Sequence, residues 1–462
     1  MKMTTTTRPH IVDIEPTNID TNQAWANPDA IDAEKKPDPT PQRQDAFGDE
    51  ENAEVKYKVL KWWQGGLLMV SETISLGILS LPAAVAGMGL APALVVLIGM
   101  GLLATYTGYL IGKFKERHPH ISSMADAGEV LMGRFGYELF GTAQLLFLVF
   151  IMASHILTFT VAFNTITNHA TCSIVFGIVG MIISCILSLP RTLEKVSWLS
   201  LVSFISIFSA VMICMVAVGI RNPEAIVHPT VETNLVTGFT AAANIAFSYV
   251  SHNTFFTFIA ELKDPKDFPK ALALLQTVDM TLYIVAAVVI YRFAGADVTS
   301  PALGSAGPLV SRIAYGVALP TIVIAGVINS HVAAKSIYIR LFAGTDRMHK
   351  RDFAAIGSWV GIAAGLWLIA WVIAEAIPVF NNLLSLITAL FGSWFTFGFT
   401  GIFGLHMDQG LWFASPQKTM HTLLNVFSIS VGVVLCVLGL YSSGKAIHDN
   451  PGSASFSCAN NA

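Results

Sequence analysis

Apolar residues form long runs over most of this chain, and short polar segments separate one run from the next. A helix needs about 20 consecutive apolar residues to cross the hydrocarbon core of a bilayer, and about eleven runs reach that length. They lie at roughly 62–88, 90–112, 137–165, 172–190, 196–220, 237–260, 271–293, 310–342, 355–375, 379–404 and 421–441. The pattern predicts an all-α integral membrane protein with about eleven transmembrane helices.

The composition agrees with this prediction. Hydrophobic residues make up 53% of the chain and charged residues 12%, with a mean hydropathy of +0.61. Soluble globular proteins carry about 25% charged residues. No basic stripe indicates a nucleic-acid partner, and no Cys or His spacing is typical of a metal site. We therefore expect membrane lipid around the chain, no nucleic acid, no metal and no other cofactor.

The two ends of the chain differ from the apolar middle. Residues 1–55 are rich in Thr, Asp, Pro and Asn, and such a segment buries too little apolar surface to offset the entropy lost on ordering. We expect a disordered cytoplasmic tail over 1–55, a transmembrane transporter domain over 56–441 and a short, loose external tail over 442–462.

Lysine and arginine set the predicted orientation. With the N-terminus in the cytoplasm, most of these residues lie in cytoplasmic connections, as the positive-inside rule requires. An odd number of spans then places the C-terminus outside. Cys172 and Cys458 would both lie on the outer side, and the sequence leaves open whether they pair.

Span one carries features that a lipid-facing helix avoids. Glu72 is a carboxylate near the middle of the span, and Gly77 and Pro82 loosen the backbone after it. Hydrocarbon offers no partner to a buried charge or to a freed backbone group, so both features indicate a helix that lines a polar cavity. We expect this helix to be broken at residues 74–77.

Span six is the second unusual span. Asn244, Ser248, Ser251, His252 and Asn253 interrupt an otherwise apolar stretch. Spans one and six are five apart, so two inverted repeats of five helices would place them in corresponding positions. Broken helices in such positions are typical of the substrate site of a secondary transporter.

Two stretches resemble a known family. The stretch KYKVLKWWQGGLLMVSETISLGILSLPAAVAGMGLAP and the stretch AFSYVSHNTFFTFIAELKDPKDFPKAL resemble fungal neutral amino acid permeases of the amino acid/auxin permease family, within the APC superfamily. The resemblance extends from about Lys56 to Tyr441. It implies a LeuT-type fold, with a 5+5 inverted repeat and broken helices 1 and 6, and uptake of neutral amino acids driven by protons. One departure is Ser251, where relatives often have Gly.

Such a site has to pair both charges of a zwitterion. A break at 74–77 would leave the N–H groups of Gly77, Ile78 and Leu79 at a helix N-terminus, which suits a carboxylate. Carbonyl groups freed at the two breaks would accept hydrogen bonds from the ammonium group. In the alternative interpretation, Ser75 and Gly77 only let helices pack closely. The expected substrate-binding residues are Thr73, Ile74, Ser75, Gly77, Ile78, Leu79, Phe247, Ser248, Tyr249 and His252.

Ionisable residues inside spans are candidates for proton coupling. Glu72 lies about one turn before the predicted break, and a hydrogen-bonded structural role is its alternative. His155 in span three either titrates or is a satisfied core histidine. Asp279 and Glu375 are further carboxylates in or at the ends of spans seven and nine.

Lys335 in span eight allows two interpretations. In LeuT-type sodium symporters, spans one and eight together hold a sodium ion, so an ammonium group there could replace the cation and make transport independent of sodium. Alternatively, Lys335 extends along the helix toward the cytoplasmic interface, which Arg340 marks.

The predicted function is therefore import of neutral L-amino acids with protons by alternating access, by a monomeric transport unit and not by an enzyme. Two alternatives are an amino acid sensor built on a transporter scaffold and a membrane-embedded acyltransferase. An acyltransferase could place His252 and Asn253 within a span, but it would not require interruptions in spans one and six together. We expect the plasma membrane, with the vacuolar membrane as the alternative.

Overall fold

The computed structural model describes residues 58–191, 193–221, 225–342, 345, 352–449 and 455–461, without the side chains of 193–197. The predicted disordered tail over 1–55 lies outside this part. The helices are α1 Trp62–Met88, α2 Leu90–Arg117, α3 Met124–Thr167, α4 Ser173–Leu187, α5 Leu193–Arg221, α6 Leu235–Phe247, α7 His252–Glu261, α8 Phe268–Ala294, α9 Pro308–Phe342, α10 Phe353–Ala376, α11 Phe380–Ile387, α12 Phe399–Met407 and α13 Pro416–Asp449. A π-helical segment, Thr388–Gly398, joins α11 to α12.

The predicted all-α membrane architecture is confirmed. Within the described ranges, nine helical stretches are long and apolar enough to cross a membrane. Helix α4 is shorter, and span six is divided between α6 and α7. Counting these two spans with the nine gives eleven, as the hydrophobic runs predict.

Helix α1 lies inside the bundle. It packs against α5, α6, α8 and α9, and most of its residues are buried. Helices α10 and α13 instead expose most of their apolar side chains, which suits contact with lipid. Following the predicted orientation, we call the end of the bundle that holds Lys61, Lys113 and Lys263 the inner end and the opposite end the outer end.

The break predicted in span one is not present. Helix α1 continues from Trp62 to Met88 through Pro82, whereas span six is interrupted at 248–251 as predicted. A continuous helix pairs its own N–H and C=O groups, and this is the favourable state where few polar partners surround the backbone. The N–H groups of 74–79 therefore donate within α1 in this structure, whereas the carbonyl of Ile78 has no helical donor, because Pro82 lacks an N–H.

At the inner end, the residues before α1 pair with those after α7. The N–H of Leu60 donates to the carbonyl of Glu261 at 3.0 Å, and the N–H of Lys263 donates to the carbonyl of Leu60 at 2.8 Å. These two bonds fasten the start of span one to the end of span six.

At the outer end, the described residues of the C-terminal tail are joined to the start of α4. Helix α13 continues to Asp449, beyond the predicted end of the transmembrane domain at 441. Cys172 and Cys458 form a disulfide bond, and the Ser173 hydroxyl donates to the carbonyl of Ala459 at 2.6 Å. Covalent and hydrogen-bonded contacts with the start of α4 therefore hold residues 455–461, which their Ser- and Asn-rich composition did not predict.

Candidate substrate and coupling site

A cavity of about 600 Å³ opens at the outer end between α1, α6, α11 and α13. Its lining is rich in amide and hydroxyl side chains. The lining residues are Ala83, Ala84, Gly87, Asn234, Leu235, Val236, Thr237, Thr240, Ala241, Asn244, Asn381, Asn382, Tyr441, Lys445, Ala446 and Asp449. We call this space the outer cavity.

Sequence reasoning missed most of the outer cavity, although one signal was present. Thr237, Thr240 and Asn244 recur at helical spacing, so they share one polar face of α6. Asn244 is 2% exposed, and its side-chain oxygen has no hydrogen-bond partner in the described protein. A buried amide oxygen without a partner costs free energy unless water or a ligand pairs it. Asn244 is therefore a polar contact point that a ligand can use.

The interruption of span six begins one turn after Asn244. Helix α6 ends at Phe247, and the Ser248 hydroxyl donates back to the carbonyl of Asn244 at 3.4 Å. Helix α7 then starts at His252, and the N–H of Thr254 in its first turn donates to the carbonyl of Ser251 at 3.1 Å. A helix N-terminus is thus present within span six, while α1 is continuous from Trp62 to Met88.

Gly77 brings α1 into direct contact with the interruption. A Cβ atom added at Gly77 would lie 2.8 Å from the Cα atom of Ser248, closer than side chains pack. This is the close-packing role that the sequence leaves as the alternative for Gly77. Gly77 and Ser248 are thus two predicted substrate residues, one from span one and one from span six, that the structure brings into contact.

Other predicted residues of span one face away from the interruption. Ile74 and Ile78 line an apolar cavity against α5 and α8. The Ser75 hydroxyl points to α9, 3.5 Å from the carbonyl of Thr321, and the Thr73 hydroxyl donates to the carbonyl of Met69 at 2.5 Å. Leu79 is fully buried among apolar residues.

The remaining predicted residues belong to span six. Phe247, Tyr249 and His252 are all buried, at the edges of the interruption. The His252 ring turns to α2, where its Nε2 lies 2.9 Å from the carbonyl of Ala104 and 3.1 Å from the Thr107 hydroxyl. None of the three lines the outer cavity.

His155 has the surroundings of a core histidine. Its Nδ1 lies 2.7 Å from the carbonyl of Ile322 in α9, and the ring is almost completely buried. Gly326 provides the space for it, since an added Cβ at that position would lie 3.1 Å from the Cβ of His155. The ring joins α3 to α9 and faces neither the outer cavity nor the interruption.

Glu72 connects span one with span six. Its Oε2 accepts a hydrogen bond of 3.1 Å from the Thr254 hydroxyl, in the first turn of α7. The same hydroxyl lies 2.7 Å from the carbonyl of Ser251, within the interruption. A change in the conformation of 248–251 would therefore alter the hydrogen bond that Thr254 donates to the Glu72 carboxylate.

Lys335 forms a buried ion pair with Glu261. The two side chains are 4% and 0% exposed, and they join the inner part of α9 to the last residue of α7. Lys335 therefore does not extend to the inner interface, so the second of its two interpretations does not describe this structure. The sequence gave no sign of this partner, because the two residues lie far apart along the chain.

Comparisons with known proteins agree with this architecture. The family model described as "Transmembrane amino acid transporter protein" matches residues 58–444. The chain belongs to this family of amino acid transporters. The transporter is 37% identical over 406 residues to the N amino acid transport system protein of Neurospora crassa, covering 86% of each chain. It is 29% identical over 398 residues to a transmembrane transporter of Fusarium pseudograminearum, covering 84% of each.

Solved structures confirm the fold of the transporter. MhsT in complex with L-phenylalanine matches with a TM-score of 0.53 at 13% identity, over 85% of this chain and 99% of that one. The nucleobase–cation symporter Mhp1, in a closed conformation with bromovinylhydantoin, matches with a TM-score of 0.52 at 13% identity, over 88% and 98%. Both are LeuT-fold transporters, so the predicted LeuT-type fold is confirmed, although helix 1 is continuous and not broken as predicted. The family contains transporters rather than enzymes.

Proposed function

We propose that this multi-pass membrane transporter imports neutral L-amino acids together with protons by alternating access. The observation that carries the proposal is the interrupted span six, whose first helix α6 lines the outer cavity as far as Asn244. Asn244 lines the cavity, and α7 begins a few residues further along, at His252. An amino acid that enters from outside contacts the Asn244 amide first and then the partly positive N-terminus of α7.

The charge of the outer cavity supports neutral substrates. Its charged lining residues in the described chain are Lys445 and Asp449, which pair at 3.0 Å. The rest of the lining is amide, hydroxyl or apolar. A zwitterion finds balanced surroundings there, whereas a cationic or anionic side chain finds no fixed counter-charge.

Proton coupling is supported by Glu72. A carboxylate inside a span is costly to keep charged, so it binds and releases protons as its surroundings change. Its hydrogen bond to Thr254 links that event to the start of α7. Lys335 pairs with Glu261 between α7 and α9, and we propose that its ammonium group takes the place of a sodium ion, so that transport does not require sodium.

The proposed transport unit is a single chain in the plasma membrane, with the vacuolar membrane as the second location. The sensor alternative retains the same binding site and differs in its output. It predicts signalling that persists in a variant unable to transport, whereas the proposed function predicts that signalling and transport are lost together.

The test is uptake by the purified full chain in proteoliposomes. A panel of the twenty amino acids competes with one labelled neutral amino acid, with and without an inward pH gradient, in sodium and in choline. We expect neutral amino acids to compete best, uptake to rise with the gradient, and choline to replace sodium without effect. Uptake that requires sodium and does not change with pH would overturn the proposed proton coupling. A preference for charged amino acids would overturn the proposal that the substrates are neutral.

A further inference from the structure

A second cavity, of about 110 Å³, lies between α1, α5 and α8. Ile74 and Ile78 line it from α1, and residues that include Val211 of α5 and Ala286 of α8 complete its walls. Every side chain that lines it in the described chain is apolar. We call this space the apolar cavity. It is separate from the outer cavity, because the two have no lining residue in common.

The apolar cavity lies at the depth of the hydrocarbon core. Of its lining residues, Met215 is the farthest from the middle of its helix, eight positions beyond residue 207 in Leu193–Arg221. Eight positions correspond to about 12 Å along a helix. The hydrocarbon core extends about 15 Å to either side of the bilayer centre. The surroundings of the cavity at this depth are therefore acyl chains and not water.

The exposure of the lining residues places the mouth of the apolar cavity between α5 and α8. Phe208 and Met212 of α5 are 41% and 40% exposed, and Val285 of α8 is 44% exposed. Ile74 and Ile78, on the far wall, are buried. The cavity thus leads from the lipid-facing surface to the middle of α1, a helix that the rest of the bundle encloses.

The size and lining of the apolar cavity suit a segment of a flexible hydrocarbon chain. An engineered cavity of about 150 Å³ lined by Leu, Ile and Phe stays dry and binds small apolar molecules such as benzene. An empty void also deprives its lining atoms of dispersion contacts. An acyl chain can enter with a few of its methylene groups, whereas the fused rings of a sterol need a wider space. The bilayer presents acyl chains at the mouth at high concentration.

We propose that an acyl chain of a bilayer lipid enters the apolar cavity between α5 and α8 and packs against Ile74 and Ile78 of α1. The chain contacts α1 beside Gly77, which touches Ser248 of span six through a neighbouring face of the helix. Lipid therefore fills the space behind the contact between the two unusual spans. This lipid site does not depend on the proposed substrate or on proton coupling.

Photolabelling from the bilayer tests the proposal. The purified full chain is reconstituted in phosphatidylcholine vesicles, in which a small fraction of the lipid carries a diazirine in the middle of one acyl chain. After irradiation, the labelled residues are mapped by mass spectrometry. We expect label on Ile74 or Ile78 as well as on the exposed Phe208. We expect none on Leu68, which is buried in α1 and does not line the cavity.

Variants that fill the apolar cavity should remove the label from α1. Ala286→Leu adds a side chain from α8, so Ile74 and Ile78 should lose their label while the residues at the mouth keep theirs. Ala364→Leu is the matched control, because Ala364 is exposed in the middle of α10 and does not line the cavity. Its labelling should equal that of the parent. Val211→Phe fills the same cavity from α5 and replaces Ala286→Leu if that variant does not fold.

Three outcomes would overturn the proposal. In the first, Ile74 and Ile78 of the parent carry no more label than Leu68. In the second, the label on Ile74 and Ile78 persists in the filled variants, because the probe would then reach α1 by another route. In the third, a photoreactive sterol labels these residues and the acyl-chain probe does not. Since the measurement is labelling and not uptake, its result is separate from the test of the proposed function.

Discussion

Gly77 in α1 contacts Ser248 at the interruption of span six so closely that no side chain fits between them. The Cβ atom of any other residue at position 77 would lie 2.8 Å from the Cα atom of Ser248 and 3.0 Å from its Oγ. This contact is where the two unusual spans of the sequence meet.

Gly77→Val should abolish amino acid uptake while leaving the amount of protein at the membrane close to normal. A β-branched side chain would push α1 away from 248–251 and deform the substrate site. Gly99→Val is the matched control, because a Cβ atom at Gly99 meets nothing within 4 Å. Uptake and surface labelling of both variants test this prediction. A near-normal affinity for amino acids in Gly77→Val would show that transport does not depend on the contact.

Lys335→Gln should destabilise the protein strongly. Removing one partner of a buried ion pair leaves the other charge uncompensated, at a cost of about 3–5 kcal/mol. Lys113→Gln removes one partner of the exposed pair Lys113–Glu116, which contributes about 0–1 kcal/mol.

Thermal unfolding in detergent compares these variants. Lys335→Gln together with Glu261→Gln should recover part of the loss, since neither group then carries an unpaired charge. A melting temperature of Lys335→Gln equal to that of Lys113→Gln would show that the ion pair contributes nothing to stability.

Asn244→Ala should weaken the apparent affinity for amino acids by about tenfold, the effect of losing one hydrogen bond of about 1–1.5 kcal/mol. The maximal rate should change less, because the interruption itself is intact. Thr281→Ala serves as control, since the Thr281 hydroxyl is exposed and donates within α8 at 2.7 Å to the carbonyl of Thr277. Uptake measured over a range of substrate concentrations gives both the apparent affinity and the maximal rate. An unchanged affinity would show that substrate does not use Asn244.

Cys458→Ser should lower the thermal stability of the outer end. The disulfide to Cys172 closes a loop of 286 residues, and losing such a crosslink typically costs about 2–4 kcal/mol. A reducing agent should shift the melting temperature of the parent to that of Cys458→Ser and leave the variant unchanged. Cys436→Ser, at a free and half-buried cysteine, should keep both the parent's melting temperature and the parent's response to the reducing agent, because the disulfide is intact.

The sequence by itself determined the spans, because a membrane helix depends on the length and hydropathy of its own residues. Span one was expected at 62–88, and helix α1 occupies Trp62–Met88. The interruption of span six was visible for the same reason, since five polar residues within one span leave little apolar length on either side. The family could also be recognised, because its two characteristic stretches are continuous in sequence.

Tertiary structure decided which groups meet. Glu261 and Lys335 lie on different spans, and nothing local in either span identifies the other as its partner. The same holds for the contact between Glu72 and Thr254, and for the outer cavity between four helices. Whether α1 breaks also depends on its neighbours, since the close contact of Gly77 with Ser248 is compatible with a continuous helix. The rotation of each helix about its axis determines these contacts, and packing of the whole bundle fixes that rotation.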